Sequence, residues 1–160
     1  MLEQKAVSSM QTMFGDSVTV TRAVVALSRA DQESILHESQ SRWSRDTIVL
    51  YLAKRGDRLV GYGLLDDVKG KLQLITMLTG LQPDGTVRDV DILAYRESYG
   101  GEVANDSFRR QFRGLAPGTD IRPGTTIKNI SGATISARAV TAGVRRASVT
   151  FRLLHERFPR

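Results

Sequence analysis

Four consecutive residues, Ser131-Gly132-Ala133-Thr134, stand just before the longest regular pattern in the chain. From about residue 135 to 156 the apolar positions Ala137, Val140, Val144, Ala147, Phe151 and Leu154 recur at intervals of 3, 4, 3, 4 and 3. That spacing predicts a helix with a single buried stripe. The first N–H groups of a helix have no partner within it, and the aligned peptide dipoles add partial positive charge there. A phosphate placed at such a start gains several hydrogen bonds. Gly132 lacks a Cβ, so an anion can come close to the backbone. Ser131, Thr134 and Ser136 supply hydroxyls, and Thr134 is a candidate for esterification because its oxygen would lie inside the anion site. An ordinary helix start reads the same way, since Ser and Thr are common caps and Gly is common in turns.

The rest of the chain must position this turn. Residues 2–14 place Leu2, Ala6, Met10, Met13 and Phe14 on one helical stripe, ended by Gly15-Asp16. Residues 17–27 are Val-rich and predict a strand. Ser28 and Asp31 predict a capping box and a short helix carrying Ile35 and Leu36, with a Ser-rich loop from Glu38 to Ser44. Segments 47–54, 58–66, 72–81 and 86–95 then read as antiparallel strands. Arg55-Gly56-Asp57 and Pro83-Asp84-Gly85 supply tight turns between them, and Gly70 a further break. A helical piece with Phe108 and Phe112 follows near residues 105–113, and residues 115–126, rich in Pro, Gly and Thr, read as loop. The expected fold is α+β: a twisted antiparallel sheet of about four to six strands packed by N- and C-terminal helices. One domain spans residues 1–160, with 1–45 as a helix-strand-helix extension and 46–160 as the core.

Composition narrows the chemistry. The 160 residues are 41% hydrophobic and 25% charged, as in an ordinary globular domain. There is no Cys, which removes disulfides, iron–sulfur clusters, c-type haem attachment and thiolate zinc sites. The net charge of +6 favours anionic partners such as nucleic acid, phospholipid, phosphorylated cofactors or acidic proteins. No apolar run approaches the roughly 20 residues of a membrane helix, and no signal peptide opens the chain. A native leader or anchor is therefore expected to lie outside this sequence.

Ser131-Gly132-Ala133-Thr134, followed by Ile135-Ser136, resembles the flavinylation motif of the FMN-binding domain family. That family includes the C subunit of the sodium-translocating NADH:quinone reductase, the G subunit of Rnf complexes and the periplasmic part of nitrous-oxide-reductase regulators. A second match is the run from Asp91 to Val103, whose Arg96-Glu97-Ser98-Tyr99-Gly100-Gly101 resembles the strand, Glu and Gly-rich turn of such domains. The resemblance covers roughly residues 58–150, and the first 45 match no family. It implies bound FMN, joined as a phosphoester to Thr134 by a dedicated flavin transferase. It further implies that Ser131, Gly132, Ala133, Ile135 and Ser136 shape the phosphate seat. Glu97, Ser98, Tyr99, Gly100 and Gly101 would border the ribityl chain or the isoalloxazine ring. At one position the chain departs from the family pattern: many members have Asp six residues before the acceptor, where this sequence has Lys128. A cation there can pair with a bound phosphate, and it can also weaken recognition by the transferase.

The resemblance implies an electron-transfer flavoprotein outside the cytoplasm, on the periplasmic or outer face of the membrane. Its partners would be redox proteins or a membrane electron-transfer complex. Positive charge and N–H donors near the ring would favour the reduced, anionic flavin. The competing readings are a basic binding module for nucleic acid or an acidic protein, and an FMN-dependent reductase. No nucleophile or base stands beside a proper partner, so no catalytic residue is assigned. His37 and His155 lack neighbours at metal spacing, so no metal site is expected. Asp66, Asp67, Asp89 and Asp91 form no evident catalytic pair. Nucleic acid is not expected as a partner, since no recognition motif accompanies Arg145, Arg146, Arg152, Arg157 and Arg160, which read as a solvated helix face. Tyr95 reads equally as a ring-stacking residue or as sheet packing. Tyr99, in a turn, reads as a ligand contact, and Trp43 as a surface or partner-facing aromatic.

Overall fold

The computed structural model describes residues 1–160. Five strands form one antiparallel sheet in chain order: β1 (Thr19–Ala26), β2 (Thr47–Arg55), β3 (Arg58–Lys69), β4 (Leu74–Leu81) and β5 (Val87–Tyr95). Four helices surround it: α1 (Leu2–Phe14), α2 (Arg29–Ser39), the short α3 (Asp106–Arg109) and α4 (Thr134–Leu154). The α+β architecture expected from the sequence is the one observed. β1 pairs along its whole length with β2, so the N-terminal segment is built into the same sheet.

Both faces of the sheet are covered, which explains its strand sequences. Every residue of β4 after Leu74 is buried, and such a strand reads as a continuous apolar run rather than an alternation. α1 lies on one face and buries Ala6, Met10, Met13 and Phe14 against Tyr51, Ala53, Leu78 and Leu93. It comes so close because the sheet offers glycines there: a Cβ on Gly61, Gly63 or Gly80 would collide with Phe14, Met10 or Met13. α4 covers the other face with Ala137, Val140, Val144, Ala147, Phe151 and Leu154, the stripe predicted from its spacing.

Ser28 and Asp31 close the predicted capping box of α2, and Gly15 caps α1. Two boundaries shift. β3 runs to Lys69 rather than ending near residue 66, and β4 starts at Leu74 rather than 72. Residues 70–73 form the turn between them, because the N–H groups of Lys71, Leu72 and Gln73 donate to the Glu97 carboxylate instead of to a strand.

Two sequence readings are corrected. Trp43 is buried, not surface-facing: its indole N–H donates to Thr150 Oγ1 at 2.9 Å, and the Arg146 guanidinium lies 5.3 Å from its ring centroid. Arg146 is not on the solvated face of α4. It is buried with Asp66 in a two-point ion pair and also donates to Ser41 Oγ at 2.9 Å. Burial pushes the Asp66 carboxyl up to about 6, against the opposing pull of Arg146. The neighbouring Arg145, Arg152 and Arg157 pair with Asp120, Glu38 and Asp31 nearer the surface.

Candidate functional site

Three chain segments meet at the end of the sheet where β3 turns into β4 and β5 ends. They are Lys71-Leu72-Gln73, Arg96-Glu97-Ser98-Tyr99-Gly100 and Gly132-Ala133-Thr134-Ile135-Ser136. Together they line a cleft of about 700 Å³, a size typical of small-molecule and cofactor sites.

One wall is the start of α4. A turn closed by the Ala133 N–H and the Ile130 carbonyl at 3.0 Å leads into it, with Gly132 at φ +80°. A Cβ on Gly132 would meet no atom within 4 Å, so the backbone there faces open space. Thr134 is the first helical residue and is exposed, and no side chain caps the helix. The N–H groups of the first turn therefore open on the cleft with the positive end of a 21-residue helix behind them. Ser136 differs from the expectation of a free hydroxyl. It is buried, and its Oγ shares a 2.9 Å hydrogen bond with the Tyr95 hydroxyl.

The opposite walls carry charge and apolar surface. Lys71 and Arg96 are the cations of the cleft, and Glu97 is its one carboxylate. Hydrogen bonds from the N–H groups of Leu72 and Gln73, then Lys71, hold the Glu97 carboxyl below the usual range. Glu97 thus sits at the predicted place, but its oxygens fasten the 70–73 turn and pair with neither Arg96 nor Arg109. Leu72, Tyr99 and Ile135, among the most exposed large apolar residues of the chain, all line this cleft. An anion at the helix start and a flat apolar group along this rim would match the two halves of the site.

Of the sequence-predicted site residues, Gly132, Ala133, Thr134, Ile135, Ser136, Glu97, Ser98, Tyr99 and Gly100 line the cleft. Ser131, Gly101 and Lys128 are not on its wall. Lys128 is held through its backbone by Gln111, which bonds both its N–H and its carbonyl. Tyr95 is not a lining residue either. It packs against the core, and its hydroxyl joins Ser136 to the Tyr99 carbonyl. Arg96, inside the second motif match, lines the cleft as well. Lys71, Leu72 and Gln73 line it although no sequence signal singles them out. Nothing in a hairpin turn signals that it will face a helix start some 60 residues later. No group of His, Asp and Glu could hold a metal ion.

A cleft that joins an uncapped helix start to an apolar rim, on an α+β scaffold, defines a domain that holds a phosphorylated, partly apolar cofactor. The chain belongs to the FMN-binding domain family: the family model matches residues 70–149, half of the chain. Its cofactor is FMN, and all three segments of the cleft lie inside the matched region.

Two relatives are components of larger complexes. Over 104 residues the chain is 35% identical to the G subunit of the proton-translocating ferredoxin:NAD(+) oxidoreductase complex of Clostridium ljungdahlii, covering 61% of this chain and 56% of that one. Over 129 residues it is 28% identical to the G subunit of the Na(+)-translocating ferredoxin:NAD(+) oxidoreductase complex of Acetobacterium woodii, covering 74% of this chain and 62% of that one. The chain thus spans less than two thirds of the length of either relative. The crystal structure of Shewanella oneidensis NqrC shares the fold, with a TM-score of 0.63 at 14% identity over 87% of this chain and 83% of that one.

Proposed function

We propose that this chain is an electron-transfer flavoprotein whose FMN is a phosphoester of Thr134, installed by a flavin transferase. The observation that carries this reading is Thr134 itself: the first residue of an uncapped helix, exposed, and lining the one cleft that also holds the apolar rim. The backbone from Gly132 to Ser136 receives the phosphate, and Lys71 and Arg96 add positive charge. Leu72, Tyr99 and Ile135 offer apolar surface to the flat ring, with Ser98 and Gly100 beside it. Bound FMN supplies the redox chemistry, and the protein supplies attachment, orientation and electrostatics.

A reductase with its own substrate is less well supported. No His lines the cleft, and its single carboxylate is held by three backbone N–H groups, so neither a His nor a free carboxylate faces a substrate. A purely basic binding module leaves the cleft unexplained. The two relatives belong to redox complexes, which supports a membrane electron-transfer complex and its redox proteins as partners. The extracytoplasmic side is part of the same proposal and rests on the resemblance of the motif alone. No helix of the chain is long and apolar enough to cross a membrane.

Coexpression with a flavin transferase tests the attachment. The intact mass should exceed that of the bare chain by one FMN less one water, and the flavin absorbance should survive denaturation. Thr134→Ala should lose that mass yet keep the fold, since the substitution removes no cap hydrogen bond. Covalent flavin retained by Thr134→Ala after acid precipitation would show the assigned acceptor to be wrong.

A further inference from the structure

At the other end of the sheet lies a second cleft, of about 480 Å³, with Arg55, Arg58 and Arg88 on its walls beside Phe14, Leu59 and Pro83. None of the three arginines makes an ion pair, whereas Arg109, Arg113, Arg122, Arg145, Arg146, Arg152 and Arg157 all do. No acidic residue lines this cleft; Asp16, Asp57 and Asp84, near it in sequence, are not on its wall.

Two of the guanidinium groups are held in place. Arg88 Nε donates to the Met13 carbonyl, and Arg55 Nη2 to the Phe14 carbonyl, each at 2.8 Å. These carbonyls end α1, so the contacts satisfy a helix terminus. They occupy only part of each fork and fix both side chains before any ligand arrives. The α1 terminus contributes about half a negative charge, far short of neutralising three positive ones. Arg58 is exposed and adds a third, unengaged fork. Guanidinium forks select the paired oxygens of phosphate or carboxylate. Here they adjoin apolar surface from Leu59, Val60 and Pro83, a combination that suits an amphiphile rather than a free ion.

We propose that this cleft binds the headgroup of an anionic phospholipid, its phosphate on Arg55, Arg58 and Arg88 and its first carbons against Leu59 and Pro83. β3 joins the two ends of the sheet over 12 residues, or roughly 35–40 Å at about 3.3 Å per residue. A domain resting on headgroups by this end holds the flavin cleft that far from the lipid surface.

The test is co-sedimentation of the purified chain with vesicles of phosphatidylcholine alone or mixed with phosphatidylglycerol, at two salt concentrations. Binding should need phosphatidylglycerol and weaken with salt. Arg58→Gln should weaken it about fivefold, since one arginine near an anionic surface is worth about 1 kcal/mol. Arg55→Lys and Arg88→Lys keep the charge but lose the fork, and should weaken it too. Arg29→Gln, remote at the start of α2, should leave binding nearly unchanged. An equal loss in Arg29→Gln would reduce the effect to net charge, and an unaffected Arg58→Gln would place binding elsewhere; either result overturns the site. Thermal stabilisation by inorganic phosphate without vesicle binding would overturn the lipid as ligand. The readout uses no flavin, so its failure leaves the function proposed above untouched.

Discussion

Gly100 offers a sharp test of how the flavin cleft is held. It sits at φ +85° just past β5, and a Cβ there would stand 2.4 Å from the Tyr95 hydroxyl oxygen and 2.5 Å from Ser136 Oγ. Those two hydroxyls are hydrogen-bonded to each other and fasten β5 to the first turn of α4. Gly132, across the cleft, has φ +80°, but a Cβ on it would meet nothing within 4 Å. The two Gly→Ala substitutions therefore share one backbone cost, about 1–2 kcal/mol for the left-handed conformation. Only Gly100→Ala adds steric overlap, about 1–3 kcal/mol, and the loss of a hydrogen bond, about 0.5–1.5 kcal/mol. The difference of about 2–4 kcal/mol corresponds to roughly 4–16 °C in thermal midpoint for a domain of this size. Urea denaturation should show the same order, with a lower midpoint for Gly100→Ala and an unchanged slope. Gly132→Ala should instead keep most of its stability and lose flavin loading, because its new methyl lies where the phosphate is placed. Equal midpoints for the two variants would refute the steric argument and the Tyr95–Ser136 link with it.

Asp66 should give the domain an unusual pH response. Its carboxyl titrates at about 6 in the fold against 3.8 for an ordinary aspartate, so the folded state holds the extra proton between those values. Stability from this group is then complete below about pH 4 and is lost as pH rises towards 6, opposite in sign to Asp31, Asp106 and Asp120, whose lowered values cost stability as pH falls. Asp66→Asn should flatten the stability profile between pH 4 and 6 in denaturation curves, and an unchanged slope there would refute the assignment. Glu97→Ala should free the N–H groups of Lys71, Leu72 and Gln73, seen as faster hydrogen exchange at those three amides with β4 still protected. Unchanged exchange would mean that the turn holds itself.

Much of this fold is legible in the sequence because its signals are local. Gly15, Ser28 with Asp31, Gly56 and Gly85 mark ends and turns within a few residues of their effects, and the α4 stripe is a simple repeat. The turn that lines the cleft is readable for the same reason: Gly132 and Thr134 adjoin the start of the helix that the α4 stripe predicts. Trp43 and Arg146 mislead because their partners are distant. The indole meets Thr150 across 107 positions, and Arg146 meets Asp66 across 80. A Ser-rich loop and an Arg-bearing helix look solvated until they are folded against each other. Lys128 is hard to place by counting along the chain, for six residues upstream of Thr134 its backbone is held by Gln111 and it does not line the cleft.

The segment around Glu97 carries more structure than its composition suggests. Tyr95, Arg96 and Glu97 are consecutive, and each reaches a different neighbouring segment. The Tyr95 hydroxyl holds Ser136 at the start of α4 and the Tyr99 carbonyl of its own turn. Arg96 donates to the Leu74 carbonyl at 2.8 Å and to Thr76 Oγ1 at 3.2 Å, which fixes the start of β4. Glu97 gathers the N–H groups of the 71–73 turn. A single tripeptide at the end of β5 thus ties together all three segments that line the cleft. This explains how a site of exposed turns can keep its geometry: the turns are short, and each is fastened to the end of β5. It also changes the meaning of the motif. Tyr95 and Glu97 have their polar atoms already engaged within the protein, so they set the spacing between the rim and the helix start. Under the function proposed above, contact with the cofactor falls to other residues of the cleft: Leu72, Tyr99, Gly132 and Thr134.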